Sequence, residues 1–202
     1  MSKVKLAVIY YSMTGNNYKL ASWAGEAALD VGAQVRVLKV SELALQSVID
    51  ANPAWKLNAE HTEDVPEAAL SDLEWADAII FSSPSRFGNI ASQLKQFIDL
   101  TGGLWFQGKL ANKVVSAMST ANISHGGQEQ TILHLYTTMY HWGAIVVAPG
   151  YTDPVLMEAG GNPYGTSATI AESGMIDAGK VQKAVAYQTK RTLEVARKLK
   201  AV

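Results

Sequence analysis

The stretch VKLAVIYYSMTGNN, residues 4–17, joins an apolar run at 4–11 to a loop of hydroxyl, amide and glycine groups that opens a helical pattern. A parallel strand that leads into such a loop aims backbone N–H groups and hydroxyls at one point, at the positive end of the following helix dipole. The loop consists of Ser12, Met13, Thr14, Gly15, Asn16 and Asn17. We therefore predict a phosphate cradle there, although the same residue types also make ordinary turns and helix N-caps.

The loop lacks the features of two common phosphate motifs. It has no lysine at the P-loop position and no G-x-G-x-x-G, so it fits neither a nucleoside triphosphatase nor a dinucleotide fingerprint. A phosphate held mainly by neutral donors suggests FMN as the ligand.

Apolar runs recur along the chain and alternate with helical patterns. The runs lie at 4–11, 33–40, 78–83, 113–119 and 144–148, and a last helix is expected at about 177–200. This alternation predicts an α/β fold, a doubly wound five-stranded parallel sheet of order 2-1-3-4-5 with helices on both faces. The crevice between strands 1 and 3 would then gather the loops that follow strands 1, 3 and 4.

The length of 202 residues suits one domain spanning 1–202. Two connections, at about 41–65 and 151–175, exceed the roughly 12–15 residues common for structureless loops. Extensions of this kind usually cover a site or build an interface.

Composition excludes several classes of function. With 48% hydrophobic and 17% charged residues the chain reads as globular, and its net charge of -1 argues against nucleic acid as a partner. The absence of cysteine excludes a disulfide framework, a cysteine nucleophile and thiolate metal sites. Because no apolar run reaches about 18 residues and no apolar signal segment precedes the first strand, we expect a cytoplasmic protein without a membrane segment.

The loop after the third strand offers an aromatic ring, a cation and a glycine in succession. Its residues are Pro84, Ser85, Arg86, Phe87, Gly88 and Asn89. Phe87 would supply an apolar wall for a flavin, and Arg86 a positive charge that favours the reduced anion. The alternative is a plain helix entry, with Phe87 in the core and Arg86 on the surface.

Gly102 is expected to end the third helix, just before two adjacent aromatic residues. Trp105 would form one side of a box in which a flat substrate stacks on the flavin. Alternatively, Trp105 or Phe106 fills an interface between subunits.

The segment after the fourth strand begins with Ser119, Thr120, Ala121 and Asn122, whose hydroxyls and N–H groups suit a flavin ribityl chain or phosphate. His141 follows near the end of the next helix, and we interpret it as a hydrogen-bond donor at a pocket rim or as a core histidine. We expect no metal site, because His134 and His141 are too far apart for a compact chelate and no H-E-x-x-H occurs.

Together, these motifs resemble the WrbA family of flavodoxin-like NAD(P)H:quinone oxidoreductases, and the resemblance covers essentially the whole chain. It rests on five segments in matching order: YYSMTG at 10–15, PSRFGN at 84–89, TGGLW at 101–105, GGQEQT at 126–131 and NPYG at 162–165. In place of the family's usual glycine-rich run after the fourth strand, this chain has ANISH at 121–125.

The resemblance implies an FMN enzyme, usually a homotetramer, that reduces quinones by two electrons with NADH or NADPH as donor. By position, residues 12–17 would bind the FMN phosphate, residues 85–89 the isoalloxazine and residues 119–122 the rest of the cofactor, with His141 contacting the flavin. Thr14 would lie near the nicotinamide nucleotide, Trp105 would stack on the substrate, and neighbouring subunits would complete each pocket.

The mechanism expected from this resemblance is ping-pong: NAD(P)H stacks over the flavin, passes a hydride to its N5 and leaves before a quinone takes the same place. No protein nucleophile is required. Two alternatives stay open: a flavodoxin-type electron carrier, although such carriers are typically strongly acidic, and a flavin-binding interaction module without catalysis.

Overall fold

A computed structural model describes residues 3–201 of the chain. Its strands are β1 Lys5–Tyr10, β2 Gln34–Lys39, β3 Ala78–Pro84, β4 Val114–Ala121, β5 Ile145–Val146, β6 Ser167–Ala171 and β7 Gly174–Met175. Its helices are α1 Asn16–Asp30, α2 Gln46–Asp50, α3 Pro53–His61, α4 Leu70–Trp75, α5 Ser92–Asp99, α6 Gly102–Phe106, α7 Gln128–His141, α8 Pro154–Glu158 and α9 Ala178–Lys200.

The sheet confirms the predicted doubly wound α/β architecture. Its strands run in the order β2-β1-β3-β4-β6-β7, and every pair is parallel except β6 with β7. Since β1 and β3 are neighbours although β2 lies between them in the sequence, the chain reverses its winding there. The loops after β1, β3 and β4 therefore open at the same edge of the sheet.

The fifth position of the sheet differs from the prediction of one continuous strand at 144–148. β5 pairs only with the start of β4, at Val114 and Val115, and β6 pairs with the end of β4, at residues 119–121. Pro149 follows closely after β5, and because proline has no N–H it cannot continue the ladder. The extension at 151–175 is thus an insertion that contains α8 and supplies β6 and β7, and the described sheet has seven strands instead of five.

Strand β1 shows why both faces of the sheet are covered. Its side chains alternate between two apolar clusters, as the period of two requires, and nearly all of them are buried. One cluster contains Leu6, Val8, Leu20, Ala24 and Val185 from β1, α1 and α9. The other contains Ile9, Phe81, Leu94, Ile132 and Met139 from β1, β3, α5 and α7.

The extension at 41–65 forms α2 and α3. One further expectation needs correction. Gly102 does not end the third predicted helix: α5 ends at Asp99, and Gly102 begins the short helix α6 with a φ outside the positive range. The aromatic pair that follows therefore lies on a helix and not in a loop.

Candidate functional site

The predicted phosphate cradle lies at the junction of β1 and α1. Gly15 caps α1 with a φ of 87°, a left-handed conformation that glycine adopts without steric cost. Within residues 3–201, no side chain caps this helix and no acidic residue occupies its first turn. The first N–H groups of a 15-residue helix are thus left for an anion.

A cavity of about 270 Å³ lies in front of these N–H groups, and we call it the cradle cavity. The loops after β1, β3 and β4 all contribute to it, as the predicted topology requires. Its lining residues are Ser12, Met13, Thr14, Asn16, Asn17, Pro84, Ser85, Arg86, Thr120, Ala121, Asn122, Gly126 and Ile170. The structure therefore brings together most of the residues predicted to hold FMN, while their contact with FMN stays a prediction.

Asn17 differs from its predicted use, because its side chain faces the protein interior. Its Nδ2 donates to Ser82 Oγ at 3.0 Å, and its Oδ1 accepts from Thr120 Oγ1 at 2.6 Å. With only 1% of its surface exposed, the amide connects α1 to β3 and β4. Only the backbone N–H of Asn17 is left for a phosphate.

Ser119 also lies outside the cradle cavity. It sits within β4, completely buried, and its hydroxyl has no hydrogen-bond partner among the described residues. Ser119 is not among the residues that line the cavity, and its contact with FMN stays a prediction. Thr120, Ala121 and Asn122 do reach the cavity.

The loop after β3 is a tight turn with Phe87 at its tip. Arg86 N donates to Asn89 O at 2.8 Å and Asn89 N to Arg86 O at 3.0 Å, which leaves Phe87 and Gly88 as the two central residues. Phe87 has a φ of 55°, rare for a bulky residue, and its side chain is fully exposed. The alternative of a core phenylalanine is wrong, and Phe87 does not line the cradle cavity either.

Ser85 joins this turn to the loop after β4. Its hydroxyl donates to Gly126 O at 2.6 Å and accepts from Gly88 N at 3.2 Å. The two loops approach so closely that a Cβ on Gly127 would lie 2.7 Å from Gly88 Cα. This hydrogen bond and this contact fix the spacing of the loops on either side of the cradle cavity.

Trp105 and His141 lie together, but away from the cradle cavity. Trp105 Nε1 donates to His141 O at 2.9 Å, and both residues are exposed. His141 ends α7, whose 14 residues span about 20 Å from the end next to Gly127. Neither residue lines the cradle cavity of its own chain, and the flavin contact of His141 and the substrate contact of Trp105 stay predictions.

A second cavity, of about 540 Å³, was not predicted from the sequence, and we call it the Trp55 cavity. Its lining residues are Tyr11, Met13, Trp55, Arg86, Asn89, Ile90, Ser92, Gln93, Lys95, His134 and Thr138. Met13 and Arg86 line both cavities, and Arg86 Nη2 lies 3.4 Å from Met13 Sδ. Among its lining residues, Met13, Arg86 and Asn89 were predicted to contact FMN, and Trp55 belongs to the extension at 41–65.

A hydrogen-bond network around Glu42 borders the Trp55 cavity. Its Oε1 accepts from Gln93 Nε2 at 2.6 Å and from two backbone N–H groups, and its Oε2 accepts from Tyr11 OH at 3.0 Å. Burial alone would raise the pKa of the Glu42 carboxyl, but the hydrogen bonds from Gln93 and the backbone outweigh it, and the net pKa is lowered. The carboxyl group is thus ionised at neutral pH, and both of its oxygens accept hydrogen bonds.

Two kinds of feature are absent from residues 3–201. No group of three His, Asp or Glu side chains there is placed to hold a metal ion. No helix in the same range combines the length and the apolarity needed to cross a bilayer.

Comparison with known proteins agrees with this geometry. A family model described as NADPH-dependent FMN reductase matches residues 4–152. A protein named NAD(P)H dehydrogenase (quinone) from Deinococcus radiodurans is 51% identical over 196 residues, which cover 97% of each chain. A protein of the same name from Geotalea daltonii is 38% identical over 202 residues, 97% of this chain and 98% of that protein.

Among solved structures, a flavodoxin-type, WrbA-like protein from Agrobacterium tumefaciens superposes with a TM-score of 0.64 at 22% identity. The match covers 97% of this chain and 99% of that one. At this level of identity the likeness establishes a flavodoxin-like fold.

Proposed function

The chain belongs to the NADPH-dependent FMN reductase family, and from that membership we propose that it is an FMN-dependent NAD(P)H dehydrogenase that reduces quinones to hydroquinones by two electrons. The observation that carries the proposal is the cradle cavity, where three loops meet in front of the uncapped first turn of α1. The relatives named NAD(P)H dehydrogenase (quinone) match nearly the full chain, including both extensions.

The donors of the cradle cavity fit FMN. The N–H groups of the first turn of α1 and the hydroxyls of Ser12 and Thr14 suit a phosphate, and Arg86 offers one cation beside them. When bound, FMN would supply the redox chemistry, taking a hydride from the nicotinamide nucleotide and giving two electrons to the quinone. The protein would hold the phosphate, fix the loop spacing through Ser85, and offset negative charge through Arg86.

We propose that the two substrates bind in turn at one place, as ping-pong kinetics require. No side chain of the cradle cavity is a strong nucleophile, so the chain itself binds and orients. Thr14 is exposed at the edge of the cavity, which supports a contact with the nicotinamide nucleotide.

A homotetramer in which neighbours complete each pocket is part of the proposal. Trp105 and His141 lie about one helix length from the cradle cavity of their own chain, so they would meet a flavin only in another subunit. Large apolar side chains are exposed around them, with Phe106 at 85%, Tyr140 at 65% and Leu100 at 63%. Light scattering after size exclusion tests the tetramer.

We also propose that the protein is located in the cytoplasm, and cell fractionation tests that location.

The first test is anaerobic stopped-flow absorbance of the FMN-loaded protein, mixed with NADH or NADPH and then with benzoquinone. We expect rapid loss of the oxidised flavin absorbance with a nucleotide and rapid recovery with the quinone. Bound flavin that responds to neither nucleotide would contradict the proposal and favour an electron carrier or a non-catalytic module.

Trp105→Ala is expected to lower kcat/KM for the quinone roughly fivefold while leaving the FMN dissociation constant nearly unchanged. The physical reason is that a lost aromatic stack is worth about 1 kcal/mol and Trp105 does not touch the cradle cavity of its own chain. Steady-state kinetics and an FMN titration measure the two effects. Leu29→Ala is the control, since Leu29 is a similarly exposed apolar side chain at the far end of α1. Equal loss of quinone turnover and FMN affinity in Trp105→Ala would contradict the stacking role.

A further inference from the structure

The Trp55 cavity adjoins the cradle cavity but is distinct from it. At about 540 Å³ it lies within the range of small-molecule sites. Met13 and Arg86 separate the two spaces, so a ligand in the Trp55 cavity would lie directly beside a flavin in the cradle.

One wall of the cavity is the indole of Trp55, and α3 holds it in a defined place. Asn52 caps α3 by accepting a hydrogen bond from Trp55 N at 3.1 Å. One turn later, Asn58 Nδ2 donates to Ser12 O at 2.8 Å and so attaches α3 to the loop after β1. A half-buried aromatic ring with a fixed backbone is a suitable stacking surface for a purine.

The charged side chains that line the cavity are all basic or potentially basic. Arg86, Lys95 and His134 line it, and none of the lining side chains is acidic. Lys95 pairs with Asp99 on the exposed side of α5, an ion pair that costs little to exchange for another anion. Ser92, the first residue of α5, adds a hydroxyl at the positive end of that helix.

The carboxylate of Glu42 borders the lining through its hydrogen bonds to Tyr11 and Gln93. Its Oε1 accepts from Gln93 and two backbone N–H groups, its Oε2 accepts from Tyr11, and Glu42 does not itself line the cavity, so it is not placed to bind a ribose diol there. Recognition of NAD uses an acidic residue on the 2′-hydroxyl, whereas recognition of NADP uses a cation near the 2′-phosphate. The Trp55 cavity is lined by cations and by no carboxylate.

On the basis of the proposed function, we infer that the Trp55 cavity binds the adenosine half of NADPH, with the adenine on Trp55 and the 2′-phosphate at Lys95. The electron donor preferred by this chain is therefore NADPH. Lys95 and Trp55 are specificity-determining residues that act on the donor and not on FMN or the quinone.

A binding experiment tests this inference without turnover. Isothermal titration of the FMN-loaded protein with adenosine 2′,5′-bisphosphate and with 5′-AMP should give at least roughly tenfold tighter binding of the bisphosphate, as expected for one charge-assisted contact. Lys95→Gln should bring the two affinities to within about twofold. Trp55→Leu should weaken both ligands by a similar factor and keep their ratio. Lys190→Gln, an exposed lysine on α9, is the control and should change neither affinity.

Two results would overturn the inference: equal affinities for both ligands in the unmodified protein, or a preference for the bisphosphate that survives Lys95→Gln. Fragment binding and quinone turnover together distinguish a failure of this inference from a failure of the proposed function. Quinone turnover without fragment binding would refute the site alone, whereas fragment binding as expected in a protein that does not turn over quinone would refute the enzyme and leave the site in place.

Discussion

Gly165→Ala is expected to lower the free energy of unfolding by about 4 kcal/mol, at the upper end of single-residue effects. A Cβ at this position would lie 2.1 Å from Ala117 O and 3.1 Å from Ile132 Cδ1. The carbonyl belongs to β4, inside the sheet, and cannot move without disturbing its neighbours. Urea unfolding followed by circular dichroism, at equal protein concentration, measures the change.

Gly179→Ala is the matched control for this variant. Gly179 lies in the first turn of α9 with open space where a Cβ would be, so alanine should leave the protein unchanged or stabilise it by up to about 1 kcal/mol. If Gly165→Ala unfolds at the same urea concentration as the unmodified protein, the segment before β6 is not held tightly against β4.

Gly127→Ala is expected to weaken FMN binding roughly a hundredfold, or about 2.7 kcal/mol. The added Cβ would lie 2.7 Å from Gly88 Cα and 3.2 Å from Ser85 Oγ, so the loops after β3 and β4 would have to separate. That separation would break the Ser85–Gly126 hydrogen bond of 2.6 Å and displace the residues that face the isoalloxazine in our proposal. Titration of the FMN-free protein with FMN, followed by quenching of flavin fluorescence, gives the affinity.

Gly32→Ala is the control that distinguishes the effect of loop displacement in Gly127→Ala from the effect of backbone strain. Gly32 has a φ of 77°, close to the 82° of Gly127, but open space where a Cβ would be. Both variants should lose about 1 kcal/mol of stability from the left-handed conformation, and only Gly127→Ala should lose FMN affinity. Equal FMN affinity in the two variants would contradict the role given to the close approach of the loops.

The parts of the fold that depend on the local pattern of apolar residues could be predicted from the sequence. The run at 4–11 alternates between two apolar faces, and this pattern indicates a strand covered on both sides. The order of the parallel strands follows from short right-handed crossovers, and it places the loops after β1, β3 and β4 side by side. The cradle cavity could therefore be located from the sequence.

What the sequence did not reveal depends on side-chain direction and distant contacts. Asn16 and Asn17 carry the same amide in the sequence, yet only Asn17 points inward, because Ser82 and Thr120 lie within reach of its amide. Phe87 is exposed because the turn gives it a φ of 55°, which no periodic pattern encodes. The Trp55 cavity joins residues of α3, α5 and α7, which only the tertiary structure brings together.

The division of the fifth sheet position between β5 and β6 has a consequence for the order in which the molecule assembles. The chain between β4 and β5 contains little more than α7, whereas the chain between β4 and β6 also contains the insertion that carries α8. Pairing β6 with β4 therefore closes a longer loop, at a higher entropic cost. The amide groups at the ligand-facing end of β4 should therefore exchange hydrogen with solvent more readily than those at its start. A bound cofactor would reverse that order, so the last part of the sheet to form would become one of the best protected.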